Sequence, residues 1–357
     1  MPYAPWSTLP RVAAPELRFP GRLRTTPDDF VVEEIPAYEP AGEGAHTFVR
    51  LTKRGLTSAA VRERLARAFG VAPEAIGMAG FKDRHAVTTQ TFSVPHPDPA
   101  EVLARARAAL PEVTIHWARR HPHKLRTGHL RGNRFRIVVR AVPPDAWPRA
   151  QAIARRLRAV GVPNYYGPQR FGRLGDNAAR GRALLQGRGP RKKWLRNLLI
   201  SAYQAELFNR YLARRVAEGG FTRLLPGDIV QKADTGGMFM VDDPQAEAAR
   251  YAQGAIHFTG PIFGYKMWLA DRDAGALEQA ILAAEGLTLD AFRRVRAKGT
   301  RRVGRLWLAD LVAERLGPDA LVFTFTLPKG GFATAVLREF LLDPPADASP
   351  AAKPRSP

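Results

Sequence analysis

Five short runs of β-branched and aromatic residues, scattered at irregular intervals, limit the folds open to this chain. They are 30–35 "FVVEEI", 46–53 "HTFVRLTK", 88–94 "TTQTFSV", 134–140 "RFRIVVR" and 321–327 "LVFTFTL". Each reads as a strand: in 134–140, Phe135, Ile137 and Val139 share one face while Arg134, Arg136 and Arg140 mostly take the other. Helical spacing lies between them. Val61, Leu65 and Phe69 recur every four residues, with Thr57 or Ser58 able to cap the first turn and Gly70 the last. Over 195–216, Leu198, Ala202, Ala205, Phe208, Leu212 and Val216 form an apolar stripe, and a further helix is expected from about Phe332. No fixed-period repeat is present. The alternation is too irregular for a doubly wound parallel sheet, and paired strands with intervening helices predict an α+β fold.

At 357 residues the chain has room for more than one domain. Its 55 Lys+Arg against 33 Asp+Glu give a net charge of +22, which calls for a polyanionic partner. Nucleic acid leads, because phosphate neutralisation releases counterions, and an anionic membrane surface is the rival. No apolar run is long enough to span a membrane and the N-terminus lacks the order of a signal peptide, so a soluble cytoplasmic protein is expected. The absence of cysteine excludes disulfides, thiol nucleophiles and Cys-ligated zinc.

Three acid-free basic runs stand out: 119–140 with eight Lys/Arg, 188–196 with five and 293–305 with seven. One such run is as readily a solvated face. Three, with Trp117, Asn133, Phe135 and Trp194 inside or beside them, suit a protein that holds phosphates and stacks exposed bases. Phosphate-loop, dinucleotide and serine-elbow motifs are absent. His116, His121, His123 and His129 crowd together, but the strongly cationic segment lacks a carboxylate and opposes a dication, so no metal site is assigned.

One carboxylate has unusual surroundings. In "MAGFKDRHAVTTQTFSV" (78–94), Asp83 lies between Lys82 and Arg84 and follows Gly77 and Gly80. Positive neighbours favour the ionised form of a partly desolvated acid, and an ionised, partly buried Asp is a competent nucleophile. A cap or a structural ion pair with Arg84 explains the same spacing.

Seven separated motifs resemble the TruD-type tRNA pseudouridine synthases, in that family's order: "TPDDFVVEE" (26–34), "GEGAH" (42–46), "AGFKDRHAVTTQ" (79–90), "KLRTGHLRGNRF" (124–135), "VPNYYGPQRFG" (162–172), "SAYQAELFN" (201–209) and "GGFATAVLRE" (330–339). The resemblance covers nearly the whole chain. It implies isomerisation of uridine to pseudouridine in tRNA, at position 13, by an aspartate nucleophile and without a cofactor or metal. Asp83 matches that aspartate, Arg24 the basic residue that pairs with it, Asn133 the asparagine that hydrogen-bonds it, and Phe135 the aromatic that stacks on the flipped base. Lys82, Arg84 and Arg170 join Phe135 as substrate-binding candidates; Phe135 is equally placed to be a core residue, and the two readings can coexist.

The family's architecture implies a pseudouridine-synthase catalytic domain with a mixed, largely antiparallel sheet at 1–162 and 304–345, and an inserted α+β TRUD domain at 163–303. RNA is then expected between the domains. The 346–357 tail and the Pro- and Arg-rich N-terminal residues are expected to be disordered, and the protein to act as a monomer. A non-catalytic RNA-binding or RNA-chaperone protein is the alternative; retention of Asp83, Arg24, Asn133 and Phe135 argues against it, since a carboxylate in an anion-binding site repels phosphate.

Overall fold

The computed structural model describes residues 6–342, so the 346–357 tail lies outside the described residues. The fold is α+β. Two compact units are present: one comprises Phe19–Ala154 and Asp310–Gly331, the other the described residues within Met1–Arg18, Arg155–Ala309 and Phe332–Pro357.

A nine-stranded sheet forms the first unit. Its main path runs Val312–Arg315, Ala320–Pro328, Leu130–Arg140, Phe30–Pro36, Val87–Val94, His46–Arg54, Thr114–His121. Only the Phe30–Pro36 and Val87–Val94 pair is parallel, so the sheet is mixed and largely antiparallel. All five runs read from the sequence are strands of it. Thr114–His121 is a strand that patterning does not reveal, because both its faces are half-exposed and apolar alternation is missing. Pairing with His46–Arg54 and packing of the Pro99–Ala109 helix hold it in place.

Val49, Leu51, Phe92 and Val94 from the strands pack on Val61 and Leu65 of the Ser58–Ala68 helix and on Val102 and Ala106 of Pro99–Ala109. Burial of each Val or Leu contributes roughly 1.5–3 kcal/mol. The first helix begins as its sequence predicts: the Thr57 side chain accepts a hydrogen bond from the Ala60 amide at 3.0 Å, and Gly70 follows with φ +64°.

In the second unit, Lys193–Ala217 packs on a four-stranded antiparallel sheet ordered Met238–Met240, Ile229–Lys232, Ile256–Ile262, Thr300–Val303. Leu199, Tyr203, Phe208, Tyr211 and Leu212 make its buried stripe. Gly260 permits the close approach, since a Cβ there would lie 2.7 Å from the Tyr211 ring. The expected N-terminal disorder is corrected for residues 6–18. Buried Arg338 donates to the carbonyls of Trp6, Leu9 and Pro10, and the Glu339 carboxylate accepts from the Val12 and Ala13 amides at 2.9 Å each. Pro- and Arg-rich composition does not prevent order where buried charged side chains satisfy the backbone. Among the described residues no helix is long and apolar enough to cross a membrane.

Candidate active site

The register of the central strand determines what surrounds the site. In Leu130–Arg140, Asn133 and Phe135 are two apart and share a face. Glu34 stands opposite Asn133 and Val32 opposite Phe135 on one neighbour, while Leu327 and Phe325 stand opposite them on the other. Phe135 is therefore enclosed: it stacks on Phe325 at 5.4 Å, meets Phe30 edge-on at 6.2 Å, and is 8% exposed.

Asp83 sits in the loop that leads into the Val87–Val94 strand, and opposite charges hold that loop in two directions. Lys82 turns inward, its Nζ 2.8 Å from Glu34 Oε2, with both side chains almost fully buried. Asp83 turns outward, its Oδ2 2.8 Å from Arg24 Nη1, with a third of each side chain exposed. The Asp83 Oδ1 accepts the His85 amide at 3.2 Å. Arg24 therefore meets Asp83, whereas no hydrogen bond joins Asn133 to Asp83 among the described residues, and Asn133 Oδ1 is buried without a partner.

Arg24 itself occupies the left-handed region, φ 58°, which costs a non-glycine residue on the order of 1 kcal/mol. Its surroundings impose that conformation. Arg22–Leu23 pairs with Arg140 and Val139, and after Arg24 a 3-10 turn, Pro27–Asp29, is locked by a reciprocal Thr26–Asp29 cap. Arg140 binds the buried Asp29 carboxylate through Nε and Nη2 and holds it below its ordinary pKa range. The Arg24 guanidinium lies over the Phe30 ring at 4.3 Å, so it is held between an aromatic face and the Asp83 carboxylate.

Two residues that sequence reasoning missed support the loop. Lys53 is fully buried and its Nζ donates to the carbonyls of Leu56 at 2.5 Å and of Asp83 itself at 3.2 Å. Burial pushes its pKa down to about 8, and Asp83 opposes that shift. Glu34, 1% exposed, accepts the Thr91 amide at 3.2 Å and neutralises Lys82. Strand parity could have signalled both. Glu34 follows Phe30 and Val32, and Lys53 follows Val49 and Leu51, in the inward positions of their strands, where a charge needs a partner. Ser58 completes the support: it donates to Gln90 Oε1 at 2.7 Å and accepts the Lys82 amide at 2.9 Å.

Arg84 is exposed, with Nε 3.3 Å from the Gly55 carbonyl. Arg170 belongs to the other unit, in the Pro168–Phe171 turn, and its guanidinium lies 5.0 Å over Tyr166. The basic runs are not uniform. Arg188, Arg191, Lys192 and Lys193 are exposed beside Trp194, which is 66% exposed. In 293–305, Arg293, Arg294, Arg296 and Lys298 are exposed, but Arg301 is buried against Glu278 and Arg305 is 2% exposed between Tyr251 and Trp307.

The family model described as tRNA pseudouridine synthase D (TruD) matches residues 14–191 and 191–340. The chain belongs to that family. It is 45% identical over 343 residues to the tRNA pseudouridine synthase D of Anaeromyxobacter dehalogenans (strain 2CP-C), covering 93% of this chain and 96% of the relative. A tRNA pseudouridine synthase D of Thermus thermophilus is 44% identical over 324 residues, 90% of this chain and 88% of the relative. Among solved structures, one from Methanosarcina mazei assigned to tRNA pseudouridine synthase D superposes with a TM-score of 0.76 at 25% identity, covering 90% and 93% of the two chains. The α+β architecture is thus that of a pseudouridine synthase.

Proposed function

We propose that this protein, an isomerase of the tRNA pseudouridine synthase D family, converts uridine to pseudouridine in tRNA at position 13, with Asp83 as nucleophile and without a cofactor. The observation that carries the reading is the Asp83 loop: Lys82 is drawn inward by Glu34 while the adjacent carboxylate is presented, a third exposed, to Arg24. A purely structural pair gains nothing from that exposure, whereas a nucleophile needs access.

The reaction breaks the bond from ribose carbon 1′ to uracil N1, forms one from carbon 1′ to carbon 5, and moves the carbon 5 proton to N1, so nothing is added or lost. Attack at carbon 1′, attack at carbon 6 and elimination toward a glycal differ in the atom engaged but each requires an ionised carboxylate at the target uridine. Asp83 acts as the carboxylate and Arg24 orients it. Asn133 donates from its side-chain amide nitrogen to the aspartate when RNA is bound. The uridine leaves its stack to reach the site and rests against Phe135, which the Phe325 and Phe30 rings hold rigid. Lys82 works through Glu34 by holding the loop, and Arg84 and Arg170 receive phosphates. The 1–162 and 304–345 segments serve as the catalytic domain and 163–303 as the insertion. The enzyme works as a monomer in the cytoplasm.

The test is pseudouridine mapping of tRNA after incubation with wild type and with Asp83→Asn, with no cofactor or metal added. A pseudouridine at position 13 made by wild type alone is the expected result. Equal modification by Asp83→Asn would remove the nucleophile assignment. No modification despite salt-sensitive binding would favour the non-catalytic RNA-binding protein.

A further inference from the structure

Outside the Asp83 loop, the histidine cluster seen in the sequence surrounds a cavity of about 450 Å³, lined by Tyr38, His121, His123, Lys124, Arg126 and His129. None of the lining residues is acidic. Two imidazoles are preset as donors. His121 Nδ1 accepts the Ala41 amide at 3.3 Å; His129 Nδ1 accepts the Arg126 amide at 3.4 Å and lies 2.8 Å from the Tyr38 hydroxyl. A ring nitrogen that accepts an amide N–H carries no proton, so each neutral ring holds its proton on Nε2.

Neither Nε2 has an acceptor among the described residues, and the exposed Arg126 guanidinium makes no hydrogen bond or ion pair there. Lys124 is fixed at the wall by donating to the Glu74 carbonyl. The aromatic faces are equally organised: Tyr38 and His121 stack at 5.1 Å, and Phe48 backs His121 at 4.6 Å.

Basic groups crowd here with no acid among the lining residues, and the crowding favours neutral imidazoles. Burial, then the charges of His123 and His129, hold His121 below its ordinary pKa; burial, then Lys124, His121 and His123, do the same to His46, whose Nδ1 is buried and unpartnered. Glu34 and Glu39 line an adjoining cavity that shares Tyr38 and His129, but Glu34 is paired with Lys82 and Glu39 is exposed. A metal ion does not suit the cluster, since no group of three His, Asp or Glu side chains among the described residues could hold one. Free N–H donors with no protein acceptor and no acid in the lining select an anion. The loop that carries these donors also reaches the active site: the Gly128 amide donates to the Ala79 carbonyl at 2.8 Å, and Leu125 packs on Ala79, just before the Asp83 segment.

We propose that this cavity binds the phosphate of an RNA nucleotide other than the target uridine, through His121, His129 and Arg126, and so anchors the substrate against the catalytic loop. The proposal rests on the reading of the substrate as tRNA. RNA rather than a free metabolite is the source, because the 119–140 run, which supplies five of the six lining residues, also exposes Arg119, Arg131 and Arg134, more positive charge than a single small anion needs.

Steady-state kinetics and tRNA binding across a salt series, with wild type and with the His123→Ala, Arg126→Ala double variant, test it. Both residues are exposed, so the fold is retained, and circular dichroism verifies that. The expected result is a KM for tRNA raised about fivefold to tenfold, kcat at saturating tRNA within about twofold of wild type, and a log Kd against log salt slope shallower by about one. His121→Gln should repeat the rise in KM. Unchanged KM and slope in the double variant would overturn the proposal, as would a loss of kcat at unchanged KM. If wild type modified no tRNA, the isomerase reading would fall, while the salt slopes of binding would still report on this cavity.

Discussion

Two Arg–Asp pairs in this molecule differ in exposure and in the number of their contacts, and the difference separates structure from chemistry. Arg215 and Asp228 are sealed, with 0% and 1% of their side chains exposed, and the contact is double, Nη1 to Oδ1 at 2.7 Å and Nη2 to Oδ2 at 2.5 Å. Each remaining valence is used: Arg215 donates to the Gly220 carbonyl at 2.5 Å, and Asp228 accepts the Leu225 amide at 2.7 Å. Arg24 and Asp83 make one contact at 2.8 Å and keep a third of each side chain in solvent. A sealed, saturated pair specifies a fold and has no capacity left for a reaction. The open pair holds a carboxylate in place and leaves it reachable, and its support comes from behind, through Lys53, Lys82 and Glu34.

Substituting the two aspartates identically gives the sharpest contrast. Asp83→Asn should lower the single-turnover rate of pseudouridine formation by on the order of 10⁴-fold, keep tRNA affinity within a few fold and barely change the urea midpoint. Asp228→Asn should do the opposite, costing roughly 3–5 kcal/mol of stability by stranding a buried guanidinium, with a near-normal rate for protein still folded. A large stability loss in Asp83→Asn would place both pairs in the structural class.

The arginine of the open pair sharpens the comparison further. Arg24→Met should reduce kcat by about 10²-fold, the scale of losing one charged partner in a preorganised site, while Arg24→Lys keeps most activity because the contact needs charge at one nitrogen rather than a fork. Equal losses in the two variants would show that the guanidinium geometry, including its seat on Phe30, matters as much as its charge.

Lys53 has the smallest effect and the most specific readout. Its folded pKa of about 8 lies below the ordinary 10.5, so the unfolded chain binds the extra proton and this group makes stability rise as pH climbs from about 8 to 10.5. Urea melts across that range should show the rise in wild type, against the background of other groups, and lose that part of it in Lys53→Met. An identical pH dependence in both proteins would mean that Lys53 is not desolvated as its position implies.

Five strands of the nine-stranded sheet, the capped Ser58–Ala68 helix and the long Lys193–Ala217 helix were legible in the sequence because each depends on side-chain periodicity over a few residues. So was the α+β class, and so was the Asp83 segment as a charged turn between apolar runs. Family motifs added Arg24 as the partner of Asp83. Tertiary structure alone decided how similar charges divide: Lys82 goes inward to Glu34 while Arg84 stays outside, and Arg301 and Arg305 are buried in a run whose Arg293 and Arg294 are exposed. It also decided that Lys53 reaches the carbonyl of Asp83 and that Asn133 does not meet Asp83 in the free protein. The physical reason is the range of the forces. Periodicity is written along the chain, but a charge is paired or free according to what a distant strand in a particular register places opposite it.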